Sequence, residues 1–233
     1  MNRHLVIGDI HGCRRAFETL LEFVVPASND IIVTLGDYVD RGPDSAGVID
    51  LLLGLDHSNS LVALRGNHEL MMLDSRKSSS WRESWLGNGG AETLASYGIE
   101  HSDPDAFEKI PAAHLDFLEN RLLPFWECDS SIFVHAFAEP NKPLEAQPDS
   151  SLYWRKFVNP EPHMSGKTVI CGHTPQRNGV PGQSSGWVCI DTFVYDAAGW
   201  LSCLDVHNKV VWQANEAGST RQFSLEAESG TSN

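Results

Sequence analysis

The amino-acid sequence predicts an α/β fold from three observations. Short runs rich in Val, Ile and Leu recur along the chain, the first of them are separated by stretches with helical spacing, and the later ones are not. The runs fall at His4–Ile7, Ile31–Leu35, Leu61–Leu64, Ile132–Val134, Thr168–Cys171, Trp187–Ile190, Leu201–Val206 and Lys209–Trp212. Their near-continuous apolar character is that of strands buried on both faces. Between the first three, Ala16, Phe17, Leu20, Leu21 and Val24 share one helical face, and Val48, Ile49, Leu52 and Leu53 share another. Strand, helix, strand, helix, strand over the first seventy residues is the order of a parallel sheet covered by helices.

After about residue 131 the runs are joined by loops containing Pro140, Pro143, Pro148, Pro160, Pro162, Pro175 and Pro181. This predicts a second sheet built mostly without crossover helices. Residues 74–130 read as a helical insert or cap, with Trp81, Trp85, the Gly87-Asn88-Gly89-Gly90 turn and apolar positions at Phe107, Leu115 and Leu118. A single domain is expected over 1–214, followed by a flexible tail over 215–233 that is rich in Ser, Gly and Glu. The 233 residues are 41% hydrophobic and 21% charged, as in ordinary folded domains.

Seventeen Lys and Arg against thirty-one Asp and Glu give a net charge of −14. That sign opposes binding to nucleic-acid phosphates and to anionic membrane surfaces. No run approaches the roughly 20 apolar residues of a spanning helix, and the N-terminus reaches Asp9 before any stretch long enough to be the apolar part of a signal peptide. The five cysteines, Cys13, Cys128, Cys171, Cys189 and Cys203, are scattered and never spaced Cys-x-x-Cys. Neither a disulfide framework nor a zinc knuckle is indicated, and a reduced, cytoplasmic protein is expected.

The chemistry stands at the ends of the runs. The first leads into Gly8-Asp9-Ile10-His11-Gly12, the second into Gly36-Asp37-Tyr38-Val39-Asp40-Arg41-Gly42, and the third into Arg65-Gly66-Asn67-His68-Glu69. Two later runs end at His135 and at Gly172-His173-Thr174. Ligands of open α/β sheets bind beyond the carboxyl ends of strands, so one rim receives Asp9, His11, Asp37, Asn67, His135 and His173. This set of carboxylates, imidazoles and one amide contains no thiolate and suits manganese, iron or zinc in a catalytic site. It is too large for a single open metal. Two divalent ions about 3.5–4 Å apart, sharing a carboxylate, would use it fully and form a template for displacement at phosphorus.

These motifs, in this order, resemble the phosphoprotein phosphatase family of metallophosphoesterases, which includes bacterial serine/threonine protein phosphatases and symmetrical dinucleoside tetraphosphatases. The resemblance covers the motif framework from about residue 4 to residue 205 and is weakest in the insert. It implies a calcineurin-like sandwich of two mixed sheets flanked by helices, with two metals, manganese first among the candidates, at the loop-rich rim. Asp9 and His11 would hold one metal, Asp37 would bridge, and Asn67, His135 and His173 would hold the other. A hydroxide between the metals would attack in line. His68 would protonate the leaving oxygen with Asp40 orienting it, Arg41 would grip the phosphoryl oxygens, and Arg155 matches the position of a second such arginine. The implied substrate is a phosphorylated protein or a small phosphomonoester. Diadenosine tetraphosphate is the alternative, suggested by Cys13 after the first motif and by the aromatic insert, while Asp40 and Glu69 follow the phosphatase pattern. A catalytically inactive scaffold is the third reading, against which the complete acid and ligand set argues.

The family's usual His-Ala-Gly and Asp-Thr-Gly stand here as His135-Ala136-Phe137 and Asp191-Thr192-Phe193, so Phe137 and Phe193 are expected either to narrow the pocket or to accompany rearranged loops. Singly, the residues have ordinary readings. Asn67 could cap a helix, Asp9, Asp37, Asp40 and His173 could fill turns, and Arg155 could form a surface ion pair. Only the ordered set outweighs them. Glu69 reads as support for the first helical turn or for a neighbouring ligand, Trp81 and Trp85 as packing against the core in preference to a lid that stacks on a nucleobase, and Cys171 as a buried apolar residue.

Overall fold

The computed structural model describes residues 3–57 and 61–225, and two facing sheets carry the fold. In the first sheet, β1 (His4–Ile7) is central. Strands β2 (Ile31–Thr34) and β3 (Leu61–Ala63) run parallel to it on one side. On the other side β9 (Leu201–Asp205), β10 (Val210–Ala214) and β11 (Thr220–Ser224) form an antiparallel meander. The second sheet has the order β4 (Phe125–Glu127), β5 (Ser131–Val134), β6 (Thr168–Cys171), β8 (Trp187–Cys189) and β7 (Gly182–Ser184). Its three inner strands are parallel, and β4 and β7 are antiparallel edges.

Side-chain alternation along each strand divides the core into layers. Val6, Val33, Leu204 and Val211 of the first sheet meet Phe133, Ile170 and Val188 of the second. Leu5, Ile7 and Ile32 point the other way, onto α1 (Arg14–Val24) and α2 (Ser45–His57). The stripe read from spacing is the one buried, since α1 covers Ala16, Phe17, Leu20 and Val24 and ends where Val25 turns left-handed and its N–H returns to Leu21 O. On the far face of the second sheet, Ile132, Val169 and Trp187 pack with Phe137, Leu152 and Tyr153. The short α7 (Asp149–Trp154) supplies the last two of these.

Two expectations change. The later strands do not all form one second sheet, because β9, β10 and β11 return to the free side of β1 and extend the first. Residues 220–224, expected in a tail, pair with β10 along five positions, and the remaining tail, 226–233, lies outside the described residues. Within 74–130 the chain forms α4 (Ser79–Trp85), α5 (Ala91–Ser96) and α6 (Ala112–Asp116), after α3 (Asn67–Asp74) and before β4. The described cysteines form no disulfide. No helix among the described residues is long and apolar enough to cross a membrane.

The two sheets touch where β1 and β8 end. Gly8, after β1, lies against the backbone that follows β8, and a Cβ there would stand 2.5 Å from Ile190 O. Gly8→Ala must push these ends apart. It is expected to cost about 1–3 kcal/mol, measured as a lower midpoint of denaturation, and an unchanged midpoint would show that the ends yield freely.

Candidate metal centre

The loops that leave the parallel strands are bent and tied to one another. Of the nine non-glycine residues with positive φ among those described, six are His11, Asp37, Asp40, Arg41, His173 and Phe193. Such backbone is costly for L-residues and survives where the surroundings over-determine it. Here Ile10 and His11 donate their N–H groups to Asp37 O at 3.1 and 2.7 Å, and Gly12 N–H donates to Tyr38 O at 2.8 Å. The Glu69 carboxylate accepts from the N–H groups of Gly66, Asp37 and Tyr38 at 2.8, 2.9 and 2.7 Å. Burial, aided by Asp37, pushes its carboxyl up to about 7. Glu69 thus ties the loop after β2 to the loop after β3.

Asp37 sits at the middle. Its Oδ2 is 3.5 Å from His11 Nε2 and 3.9 Å from His68 Nε2, and its Oδ1 is 3.5 Å from His135 Nε2. Asn67 is the first residue of α3, not its cap, and its Oδ1 lies 2.9 Å from both His135 Nε2 and His173 Nδ1. Two clusters with metal-ligating geometry share Asp37: His11, Asp37 and His68, and Asp37, His135 and His173. Asp9 stands beside them, accepting the N–H of His173 at 2.9 Å. The ring nitrogens facing away are engaged by carbonyls. His11 Nδ1 is 3.1 Å from Val39 O, His135 Nδ1 is 2.9 Å from Leu35 O, and His173 Nε2 is 3.1 Å from Trp154 O. Those contacts select the tautomer that turns a lone pair inward, the arrangement that supports metal-ligating histidines.

The charges fit the same use. Burial, with repulsion from neighbouring groups, holds His11 and His135 below the usual imidazole range and brings His173 down to about 4, so the inward nitrogens are acceptors. Burial, then Asp191 and Asp37, pushes Asp9 well above the usual carboxylate range, and burial brings Asp191 up to about 7. Asp37 goes the other way, since against its burial any proton on the imidazoles of His135, His68 and His11 favours its anion. Crowded buried carboxylates with neutral imidazoles want divalent cations among them. These clusters imply divalent metal ions.

His68 is distinguished from the other imidazoles by its partner. Its Nδ1 lies 2.7 Å from Asp40 Oδ2, and against its burial Asp37 and Asp40 raise it above the usual imidazole range. Arg41 donates through Nη1 to Tyr195 OH at 2.7 Å, approaches His11 Nε2 at 3.1 Å, and lies over the Tyr195 ring at 4.6 Å. A cleft of about 330 Å³ opens over this group, and Lys156, Arg177 and Tyr195 join its lining.

The structure brings Asp9, His11, Asp37, Asn67, His135 and His173 together with His68, Asp40 and Arg41. It does not bring Arg155 with them. That side chain is half-exposed, pairs with Glu139 at 2.8 Å and lies over the Phe137 ring, while its neighbour Lys156 lines the cleft. Phe137 stacks on Trp187 in the far core, away from the cleft. Phe193 lies beneath Arg177 and against Tyr195. Sequence reading missed Lys156, Arg177, Tyr195 and the roles of Trp85 and Thr93. Asp191 was open to it, since this residue also follows a strand-like run.

Comparison with known proteins agrees with the geometry. The chain is 32% identical over 195 residues to serine/threonine-protein phosphatase 1 of Salmonella typhimurium, covering 79% of this chain and 77% of that one. It is 32% identical over 140 residues to the symmetrical bis(5'-nucleosyl)-tetraphosphatase of Nitrosomonas europaea, covering 60% and 46%. A crystal structure assigned provisionally to a diadenosine tetraphosphatase superposes with a TM-score of 0.65 over 97% of this chain and 95% of that one, at 22% identity, and shares the fold. The family model for calcineurin-like phosphoesterases matches residues 3–196, which hold every residue of the centre described above, and the chain belongs to that family.

Proposed function

We propose that this chain is a metal-dependent phosphomonoesterase of the serine/threonine protein phosphatase type. The observation that carries the reading is the His68–Asp40 pair beside Asp37, with His68 Nδ1 held at 2.7 Å by Asp40 and Nε2 turned toward the centre, 3.9 Å from Asp37 Oδ2. Asp9 and His11 would hold one ion and Asn67, His135 and His173 the other, with Asp37 shared. When bound, two divalent ions, with manganese the first choice, supply Lewis-acid charge at the phosphoryl group and lower the pKa of the attacking water.

The chain's own residues supply the rest. Asp40 keeps the His68 ring oriented and protonated until His68 Nε2 gives its proton to the leaving oxygen, which leaves the imidazole neutral. Arg41, steadied by Tyr195, offers its planar fork to the phosphoryl oxygens. Lys156 and Arg177 add positive charge to the mouth of the cleft, so a protein of net charge −14 still presents an attractive field to a phosphate. The longer alignment with the Salmonella phosphatase supports a monoester substrate over a dinucleotide. Of the two insert rings, Trp85 is buried as expected and is removed as a stacking surface for a base, whereas Trp81, also expected in the core, is half-exposed.

Three outcomes test the proposal. After chelation and restoration of manganese, p-nitrophenyl phosphate and a phosphothreonine peptide should release phosphate faster than diadenosine tetraphosphate is cleaved. Faster cleavage of the dinucleotide would move the chain to the tetraphosphatases, and silence on all three would favour a narrow substrate or a scaffold. His68→Ala should lower turnover of the peptide by about 10²–10⁴ while metal content stays at the wild-type value; full turnover would remove His68 as the acid. Asp37→Asn should deplete both ions, because it weakens their shared ligand, and an elemental analysis still showing a full pair would refute the bridge.

A further inference from the structure

The segment from Trp85 to Thr93 in the helical insert reaches Asp40 and Arg41 from outside the strand-end loops. The indole N–H of Trp85 donates to both oxygens of Asp40, at 2.9 and 3.1 Å. The Thr93 hydroxyl donates to Asp40 Oδ1 at 2.7 Å and accepts the N–H of Asp40 at 2.8 Å, a two-point clasp on one residue. Between them Gly89 O accepts the N–H of Arg41 at 3.2 Å. Gly89 has φ 109°, and a Cβ on it would stand 2.5 Å from Arg41 N. Asp40, Trp85 and Thr93 have no exposed surface, and the indole is backed by the Phe107 ring at 5.8 Å.

A carboxylate held only by His68 could turn about its Cβ–Cγ bond and carry the imidazole with it. With Oδ1 taken by the hydroxyl and the indole spanning both oxygens, the carboxylate plane is fixed, and so is the direction of the His68 ring hydrogen-bonded to Oδ2. We propose that Trp85 and Thr93 are positioning residues for the proton donor: they fix the plane of Asp40, which aims His68 Nε2 at the leaving oxygen. The insert thereby acts on the bond-breaking step although none of its side chains lines the cleft. This rests on the reading of His68 as the acid.

The test uses the manganese-loaded enzyme and two substrates that differ in their need for a proton. Phenyl phosphate has a poor leaving group, and 2,4-dinitrophenyl phosphate has one that departs unaided. The quantity read is the ratio of kcat on the first to kcat on the second. Trp85→Phe, which keeps a ring and loses the N–H, and Thr93→Val, which keeps the shape and loses the hydroxyl, should each lower that ratio about tenfold. Thr93→Ser should restore most of what Thr93→Val loses, and His68→Ala, run alongside, should lower the ratio more than either. Equal losses on both substrates in Trp85→Phe and Thr93→Val, or a wild-type ratio in them while His68→Ala lowers it, would overturn the positioning role and leave His68 as the acid. A wild-type ratio in His68→Ala would overturn both. Should Thr93→Val fail to fold, Trp85→Phe carries the comparison alone.

Discussion

The loop-rich end of the sandwich is organised about one buried anion. Asp37 is 2% exposed, and placing a carboxylate there is expensive unless donors or cations compensate it. Its Oδ1 accepts the N–H of His68, its side chain faces the metal-ligating rings of His11 and His135, and its backbone carbonyl accepts from Ile10 and His11. Its own N–H goes to Glu69. Through this one residue the loops after the first three strands become a single body, which explains how several unfavourable backbone conformations coexist within so few residues.

That body is rigid because of what lies beneath it. Three apolar layers, one between the sheets and one on each outer face, hold the strand ends in register, so the polar groups above them inherit fixed positions. The acidic balance of the whole molecule and the cationic mouth of the cleft are compatible because they act over different distances. The net charge is felt far away and is screened by salt within about 10 Å, whereas Arg41, Lys156 and Arg177 act at contact with whatever occupies the cleft.

The inner strands, the edge strand β3 and the site residues attached to them were legible in the sequence for the same reason. A strand buried on both faces leaves an unbroken apolar run, and a ligand placed directly after such a run is marked by it. The three strands not anticipated, β4, β7 and β11, are all sheet edges. Only one of their sides needs to be apolar, and β11 alternates exposed and half-buried residues along Thr-Arg-Gln-Phe-Ser. Trp85 and Thr93 were illegible as site residues because their partner, Asp40, is some fifty positions away and only the folding of the insert brings them to it. Arg155 and Lys156 show how fine the margin is. The chain after α7 is extended, successive side chains there point in opposite directions, and a difference of one position decides which cation faces the cleft.

The central position of β1 has a consequence for how the molecule is made. Its one neighbour, β2, follows within thirty residues, but the other, β9, begins at Leu201. On a ribosome emitting about 5–20 residues per second, β1 waits on the order of ten seconds with one edge unpaired, and His173 also emerges late in that interval. The metal centre must therefore wait for His173 before it can close, and β1 waits longer still to be paired on both sides. Contacts so distant in sequence make slow folding, and the exposed edge of β1 is where a chaperone, or a second nascent chain, would find this protein most receptive.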